Sequence, residues 1–406
     1  MKVGIAPTMW RGLVDLPFPT FVDYCKEAGA EVMELSGFPR SYSETLVLDE
    51  AGVEQVRTLT RRAGIEVCAV GCPTDLVQPT AEGMAEQVTM IWHLVDVAQA
   101  LGARTVGLKA GNPKDGMHPD EAQALMVETI KAAAPYAHER KIFLALENGG
   151  TLANDHRRLL AIVNAVHDLY VRALLDVGNF RRQGYTPEEV LQVVQEVAPL
   201  AAHIHFKDGK GVEREFRNVP IGEGDLDMEA ILRAIRVAGY LHPLCAQYEG
   251  PDQPEVYKQD LAWLRERTRG WERGTDATDH LVRGFHHVAI SCASFESAFR
   301  FYGELLGLPL TPAQGISYSP VLLFDLPTGE QFHCHLHGPS QRVHVALEVA
   351  DFAGAVQRLR QAGVEVRGPD RRGDGSDFLF CRDFDGNAIE LTHHQTWSQH
   401  KIVGAG

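Results

Sequence analysis

The 406 residues predict a (β/α)8 barrel followed by a smaller α+β domain of two βαβββ-type modules, and three observations carry that expectation. First, from Val3 to about Arg269 short β-branched or apolar runs alternate with longer stretches of helical periodicity, eight times in all. Repeated β-then-α units imply parallel strands with right-handed crossovers, and eight of them in about 270 residues match a closed barrel. Second, no Gly-x-Gly-x-x-Gly follows the first run, as it does in many nucleotide-binding open sheets, the competing doubly wound arrangement. Third, the remainder holds an internal repeat: His287-Val288-Ala289-Ile290 returns as His344-Val345-Ala346-Leu347, an offset of 57.

The strands expected in chain order are Val3–Ala6, Glu31–Leu35, Glu66–Gly71, Thr105–Leu108, Phe143–Glu147, Ala173–Asp176, Ala202–Phe206 and Leu244–Tyr248. Among the helices between them, Glu82–Leu101 and Asp120–Arg140 are the clearest, with apolar residues returning every three or four positions. Periodicity dissolves in the polar run from Trp271 to Arg283, which marks a linker between a barrel at 1–270 and a second domain at 284–395. In that domain Phe295 and Ala298 recur as Phe352 and Ala355, each in a helix ending near a glycine, Gly307 or Gly363. Each half then reaches a late strand, Gln331–Leu336 or Asn387–Thr392, and the tail at 396–406 has no pattern.

Lys and Arg number 39 against 54 Asp and Glu, so the formal charge is 39 − 54 = −15, which argues against binding a phosphate backbone. No apolar run is long enough for a membrane span, and the start MKVGIAPTMW lacks the features of a signal peptide. Cys25, Cys68, Cys72, Cys245, Cys292, Cys334 and Cys381 show no framework spacing and read as free thiols of a cytoplasmic protein.

In a barrel, chemistry sits where the carboxyl ends of the strands meet their loops. Ionisable residues collect there: Glu147 ends FLALE, Asp176 ends ALLD, His205 lies in HIHFKD and Glu249 ends CAQYE. Alternate strand residues share a face, which groups Phe143 with Ala145 and Glu147, His203 with His205 and Lys207, and Cys245 with Gln247 and Glu249. A single carboxylate after a strand also serves as a helix cap, and one buried histidine as a hydrogen-bonded core residue. Four such residues on the last four strands instead point to one divalent cation held by Glu147, Asp176, His205 and Glu249. Oxygen ligands suit Mg²⁺ or Mn²⁺, and the imidazole admits Co²⁺ or Zn²⁺. A carbonyl and its neighbouring hydroxyl chelated there would have an acidified C–H between them, with Glu147 and Glu249 placed to take and return a proton. Lys207 and Lys109 are candidates to contact substrate oxygens, and Trp10 to form an apolar wall against a ring.

In the second domain His287 matches His344 at the offset of 57, and Glu390 falls 55 residues after His335. Two ligands per module would form a metal cup of His287, His335, His344 and Glu390, suited to Fe²⁺, Mn²⁺, Ni²⁺ or Zn²⁺. His333, His337, His393 and His394 read as rim residues.

The first 270 residues resemble the xylose-isomerase-like barrel superfamily through GIAPTMW, GAEVMELSG, ALEN, LLDVGN, HIHFKD and VPIGEGDLDMEAIL. That superfamily holds sugar-phosphate isomerases and epimerases, ketose 3-epimerases, inosose and 3-dehydroshikimate dehydratases and an apurinic endonuclease branch. The resemblance implies Glu147, Asp176, His205 and Glu249 as metal ligands, with Glu147 and Glu249 as the acid–base pair. One departure concerns the sixth strand, where the family commonly has Asp-x-x-His and this chain has Asn179, which becomes a candidate substrate contact. Residues 284–395 resemble the vicinal-oxygen-chelate superfamily of glyoxalases and dioxygenases through HHVAI, FYGELLGL, VHVALEV and DFDGNAIEL. That resemblance implies His287, His344 and Glu390 as ligands, with His335 as the fourth.

The expected function is a metal-dependent isomerase, epimerase or dehydratase acting on a polyhydroxylated keto compound, a sugar or inosose. A 3-dehydroshikimate dehydratase is the alternative enzyme. A sugar-binding barrel with a regulatory or dimerisation module is the non-enzymatic alternative. The partner is a small oxygen-rich molecule, with no nucleic acid or membrane; association with further copies of the chain stays open.

Overall fold

Eight parallel strands close the first unit of the computed structural model into a barrel: β1 (Val3–Ile5), β2 (Val32–Ser36), β3 (Glu66–Cys72), β4 (Thr105–Leu108), β5 (Phe143–Glu147), β6 (Val171–Asp176), β7 (Ala201–Phe206) and β10 (Leu244–Ala246). Between the last two stands a short antiparallel ribbon, β8 (Asp208–Lys210) with β9 (Arg217–Val219). The closing pair is β1 with β10, through Val3 opposite Leu244 and Ile5 opposite Ala246. The structure describes residues 1–7, 12–38, 41–44, 46–251, 253–269, 282–306, 308–311, 321–325, 331–336, 343–372, 375–382 and 386–394. Trp10 and His337, most of the expected linker and the tail lie outside them. The chain divides into two units, Met1–Trp271 and Glu272–Gly406.

Among the described residues eight α-helices accompany the barrel strands: α1 (Phe18–Glu27), α2 (Glu50–Ala63), α3 (Ala81–Leu101), α4 (Pro119–Glu139), α5 (His156–Val166), α6 (Pro187–Val197), α7 (Met228–Val237) and α8 (Gln253–Thr268). Their ends are set by local chemistry. The Thr80 hydroxyl accepts from Gly83 N at 3.1 Å to start α3, and Gly102 stops it in the left-handed region at φ 77°. Thr186 and Glu189 form a reciprocal capping box at the start of α6. One face of each helix joins a continuous core with the outward residues of the strands, among them Ile5, Met33, Leu35, Val70, Val106, Leu144, Leu175 and Ile204. Among the described residues no helix is long and apolar enough to cross a membrane.

In the second unit, β11 (Val282–Cys292), α9 (Phe295–Ala298), β12 (Leu310–Thr311), β13 (Val321–Asp325) and β14 (Gln331–Leu336) form one βαβββ module. The other comprises β15 (His344–Val349), α10 (Phe352–Gln361), β16 (Arg367–Arg371), β17 (Asp377–Arg382) and β18 (Ala388–His393). The modules share one eight-stranded sheet, ordered β12-β13-β14-β11-β15-β18-β17-β16, joined by the antiparallel β11–β15 pair. In each module the first strand runs parallel to the last. The sequence repeat is therefore a structural one.

Asp260 on α8 is 1% exposed and accepts from Ile221 N at 2.8 Å, tying down the loop between β9 and α7. Burial pushes its carboxyl up to about 7. Because the folded state then holds its proton more tightly than the unfolded state, this group's contribution is present at low pH. It is lost as pH rises from the unfolded value near 4 through about 7. Asp260→Asn keeps the acceptor without the charge, so urea unfolding should show no gain at pH 4 and a gain on the order of 2–4 kcal/mol at pH 8.

Candidate functional site

Strands β2 and β7 are not neighbours, so a bond between them must cross the barrel interior. Glu34 on β2 makes two: its Oε2 lies 3.0 Å from His203 Nε2 and 2.7 Å from His205 Nε2. All three side chains are buried. With Nε2 committed to Glu34, the His205 ring presents Nδ1 towards Glu147 Oε1 at 3.8 Å, beyond hydrogen-bond distance. Glu147 and Asp176 are the last residues of β5 and β6. One ligand atom each from Glu147, Asp176 and His205 lie within 4.8 Å of one another. Asp176 Oδ1 accepts from the backbone of Gly178 and Asn179 at 3.1 and 3.2 Å, which leaves Oδ2 turned inward.

This donor set fits a divalent cation. His205 Nδ1 is buried and makes no hydrogen bond among the described residues, while its other nitrogen is oriented by a carboxylate, as metal-bound imidazoles commonly are. Burial works against charge on Glu147, yet Lys109 and His205 hold it down to about 2. Burial likewise opposes charge on His205, but Glu34 and Glu147 push it up to about 10. Burial raises Asp176 despite its ion pair with Lys207.

The other expected barrel residues are placed differently. Glu249, expected as the fourth ligand, is held apart by two cations: Lys207 Nζ at 3.1 Å from Oε1 and Arg182 Nη2 at 2.7 Å from Oε2. Those partners, Lys207 foremost, keep its carboxyl below the usual range. Lys207, expected to contact substrate, is fully buried and already surrounded by four oxygens: Asp176 Oδ2 at 2.7 Å, Gln247 Oε1 at 2.8 Å, Asn179 Oδ1 at 3.0 Å and Glu249 Oε1. An ammonium has three protons, so none is spare for a ligand. Asn179 accepts from Lys207 with its side-chain carbonyl and donates its amide to Asn148 O at 2.9 Å, which braces the ends of β5 and β6. Lys109 is paired with Glu147 Oε2. An open cleft of about 480 Å³, lined by the exposed Arg182, Gln183, Glu213 and Arg214, adjoins the Arg182–Glu249 pair.

Three central strands of the second unit bring together His287, His344 and Glu390, again within 4.8 Å. His344 Nε2 lies 2.9 Å from Glu390 Oε2 and 3.0 Å from His287 Nε2. Ala289 and Ala346 stand opposite His344 and His287 in the β11–β15 register. Burial, then the neighbouring histidines, lowers His287 well below its usual range. Arg372 pairs with Glu390 Oε1 and helps keep that carboxyl charged in spite of burial. A neutral His287 imidazole beside a charged Glu390 carboxylate suits metal binding.

Register places His333, not His335, at the position equivalent to Glu390. Glu390 pairs with Ala346, and Ala346 repeats Ala289, whose partner on β14 is His333. His333 is buried rather than at the rim, and its ring stacks on His287 with centroids 3.9 Å apart. His335 lies one pleat further along β14, opposite Ser291, its ring 6.4 Å from that of His333. His394, also expected at the rim, is tied to buried Glu348 at 2.9 Å. Glu34, Arg182, Gln247 and Arg372 were not expected. The period-two run Val32, Glu34, Ser36 was the available signal for the first, and the same parity holds for Gln247 beside Glu249.

Residues 22–267 match the family described as xylose isomerase-like TIM barrel. Residues 284–391 match the glyoxalase/bleomycin resistance protein/dioxygenase superfamily. The chain is 26% identical over 179 residues to a Streptomyces coelicolor protein named "Putative hydroxypyruvate isomerase", covering 42% of this chain and 60% of that one. It is 24% identical over 161 residues to L-ribulose-5-phosphate 3-epimerase UlaE of Salmonella paratyphi C, covering 39% and 55%. The chain thus spans less than two thirds of the length of these relatives. In structure it resembles the IOLI protein with a binding zinc atom, at TM-score 0.57 and 15% identity over 67% of this chain and 100% of that one. It also resembles a xylose isomerase-like TIM barrel/4-hydroxyphenylpyruvate dioxygenase fusion protein, at TM-score 0.53 and 17% identity over 98% and 67%.

Proposed function

The chain belongs to the xylose isomerase-like TIM barrel family, and from that premise we propose that it is a divalent-metal-dependent isomerase or epimerase of a polyhydroxylated keto compound. The convergence of Glu147, Asp176 and His205 on one point of the barrel interior carries this reading. Relatives matched over part of their length are named as a putative hydroxypyruvate isomerase and an L-ribulose-5-phosphate 3-epimerase, both acting on hydroxylated keto compounds, which supports the substrate class. These three residues would hold Mn²⁺, Mg²⁺, Co²⁺ or Zn²⁺, and such an ion, when bound, supplies Lewis-acid polarisation of a substrate carbonyl.

Glu147, charged and shielded from bulk water, takes the proton from the carbon next to the carbonyl. Glu249, kept charged by Lys207 and Arg182, serves the opposite side of the same carbon or its neighbour. Arg182 and Arg214 offer hydrogen bonds to hydroxyl or anionic oxygens at the cleft beside it. Glu34 fixes the ring plane of His205, and Lys207 fixes Asp176 and Glu249 against each other. In the second domain His287, His344 and Glu390, with His333 beside them, would hold a separate divalent ion. Loss of hydroxide after proton removal would make the same site a dehydratase, so product analysis distinguishes the two outcomes.

Dialysis against a chelator should abolish turnover on a panel of hydroxypyruvate, ketoses, ketose phosphates, inososes and 3-dehydroshikimate. Added Mn²⁺, Mg²⁺, Co²⁺ or Zn²⁺ should restore it, in the wild type and in His344→Ala alike. Full activity in chelated wild-type protein would remove the metal from the account.

A further inference from the structure

The barrel interior holds a second group of metal-ligating side chains that the proposed reaction does not use. Cys68 on β3 and Cys245 on β10 belong to strands that are not neighbours, yet their sulfurs lie 3.6 Å apart. Cys68 arrives there because it is the extra residue of a bulge: Met33 pairs with Val67 and Glu34 with Ala69, leaving Cys68 without a register partner on β2. A bulge re-aims the side chain of its extra residue, here into the interior. Ala6 and Val32 pack against the two cysteines, so the space is bounded by small and branched apolar groups. A ring nitrogen of His203 and the two sulfurs lie within 4.8 Å of one another. The His203 ring is oriented by Glu34 at 3.0 Å, a carboxylate that also holds His205.

We propose that Cys68, Cys245 and His203 form a zinc site inside the barrel, distinct from the Glu147–Asp176–His205 group, with Glu34 as fourth ligand or as the carboxylate orienting His203. Two thiolates bound to a tetrahedral zinc at about 2.3 Å each lie roughly 3.8 Å apart, and the observed sulfur separation is close to that value. Two thiolates and an imidazole favour zinc over the oxygen-preferring Mg²⁺ and Mn²⁺. Cys68 is partly exposed, while Cys245 and His203 are buried. The ion would tie β3 to β7 and β10, and through the shared Glu34 it would steady the His205 ring from below. Binding releases the two thiol protons to solvent as the Zn–S bonds form, and no oxidant is involved.

The test is a cobalt titration of the full chain, purified under reducing conditions and freed of metal. Thiolate-to-cobalt charge-transfer absorption in the near ultraviolet reports sulfur ligation, which neither of the other two groups can supply. The band should saturate within about three equivalents of Co²⁺, since the other two groups also take the ion, and vanish when Zn²⁺ is added. It should fall below about a tenth in Cys68→Ser and Cys245→Ser and persist in Cys381→Ser. A readout on the wild type alone guards against variants that misfold: zinc should protect the partly exposed Cys68 thiol from a disulfide reagent in the native protein. Absence of the band in wild type, its persistence in both cysteine variants, a Cys68–Cys245 disulfide in the reduced preparation, or no zinc protection would each overturn the proposal.

Discussion

Glu147→Gln should lower kcat/KM by about 10³-fold, chiefly through kcat, because the side chain is asked both to move the proton and to complete the cation site. The amide keeps the volume and one acceptor oxygen, so the β5 end should pack as before. It cannot take a proton, and it removes the charge that now balances Lys109 and His205. Steady-state kinetics with saturating metal separates the two roles: metal affinity recovers at high Mn²⁺, whereas the loss in kcat does not. Glu249→Gln should also lose turnover, with a smaller effect on metal affinity, because Lys207 and Arg182 hold that carboxylate outside the three-residue group. Wild-type kcat in Glu147→Gln would reassign the base.

Lys207→Met should cost about 3–5 kcal/mol of stability, because it removes one partner of a buried ion pair and strands the other. The ammonium is fully buried and is the shared counter-charge of Asp176 and Glu249, with Gln247 and Asn179 completing its oxygen shell. Methionine fills similar volume but leaves Asp176 buried without that counter-charge. In a unit of this size the melting temperature should fall by about 10 °C. Adding Glu249→Gln to Lys207→Met should recover part of the loss, since one uncompensated carboxylate disappears; a double-mutant cycle by urea unfolding measures the coupling. A loss under about 1 kcal/mol would show that the ammonium is not the keystone of this network.

Much of the barrel was legible because its signals are local. All eight strands are where short apolar runs end in turns; α3 begins one residue before Glu82 and ends at Leu101 as expected, and α4 begins and ends one residue before Asp120–Arg140. Glu147, Asp176 and His205 could be grouped because each stands at or near the end of a strand in a fold whose strand ends converge. The fate of Glu249, Lys207 and Asn179 was not legible. It depends on which groups meet across the interior, and a buried ammonium surrounded by oxygens leaves no periodic trace. The aspartate of HIHFKD shows the same limit: Asp208 braces the loop after β9, accepting from Gly222 and Gly224 at 3.0 Å each, rather than serving chemistry. In the second domain the offset of 57 was visible, but applying it to the last strand selects His333, not His335. Register pairs His333 with Ala289 as it pairs Glu390 with Ala346, two residues away from His335.

The central claim is proton transfer at a carbon beside a carbonyl held in the barrel, and solvent isotope exchange reads it most directly. With metal-loaded protein in D₂O and the same substrate panel, proton NMR should show deuterium entering one substrate or product at the carbon next to the carbonyl. Exchange should be slowed about 10³-fold in Glu147→Gln. Conversion without any carbon-bound deuterium, or exchange at an unchanged rate in Glu147→Gln, would contradict the account.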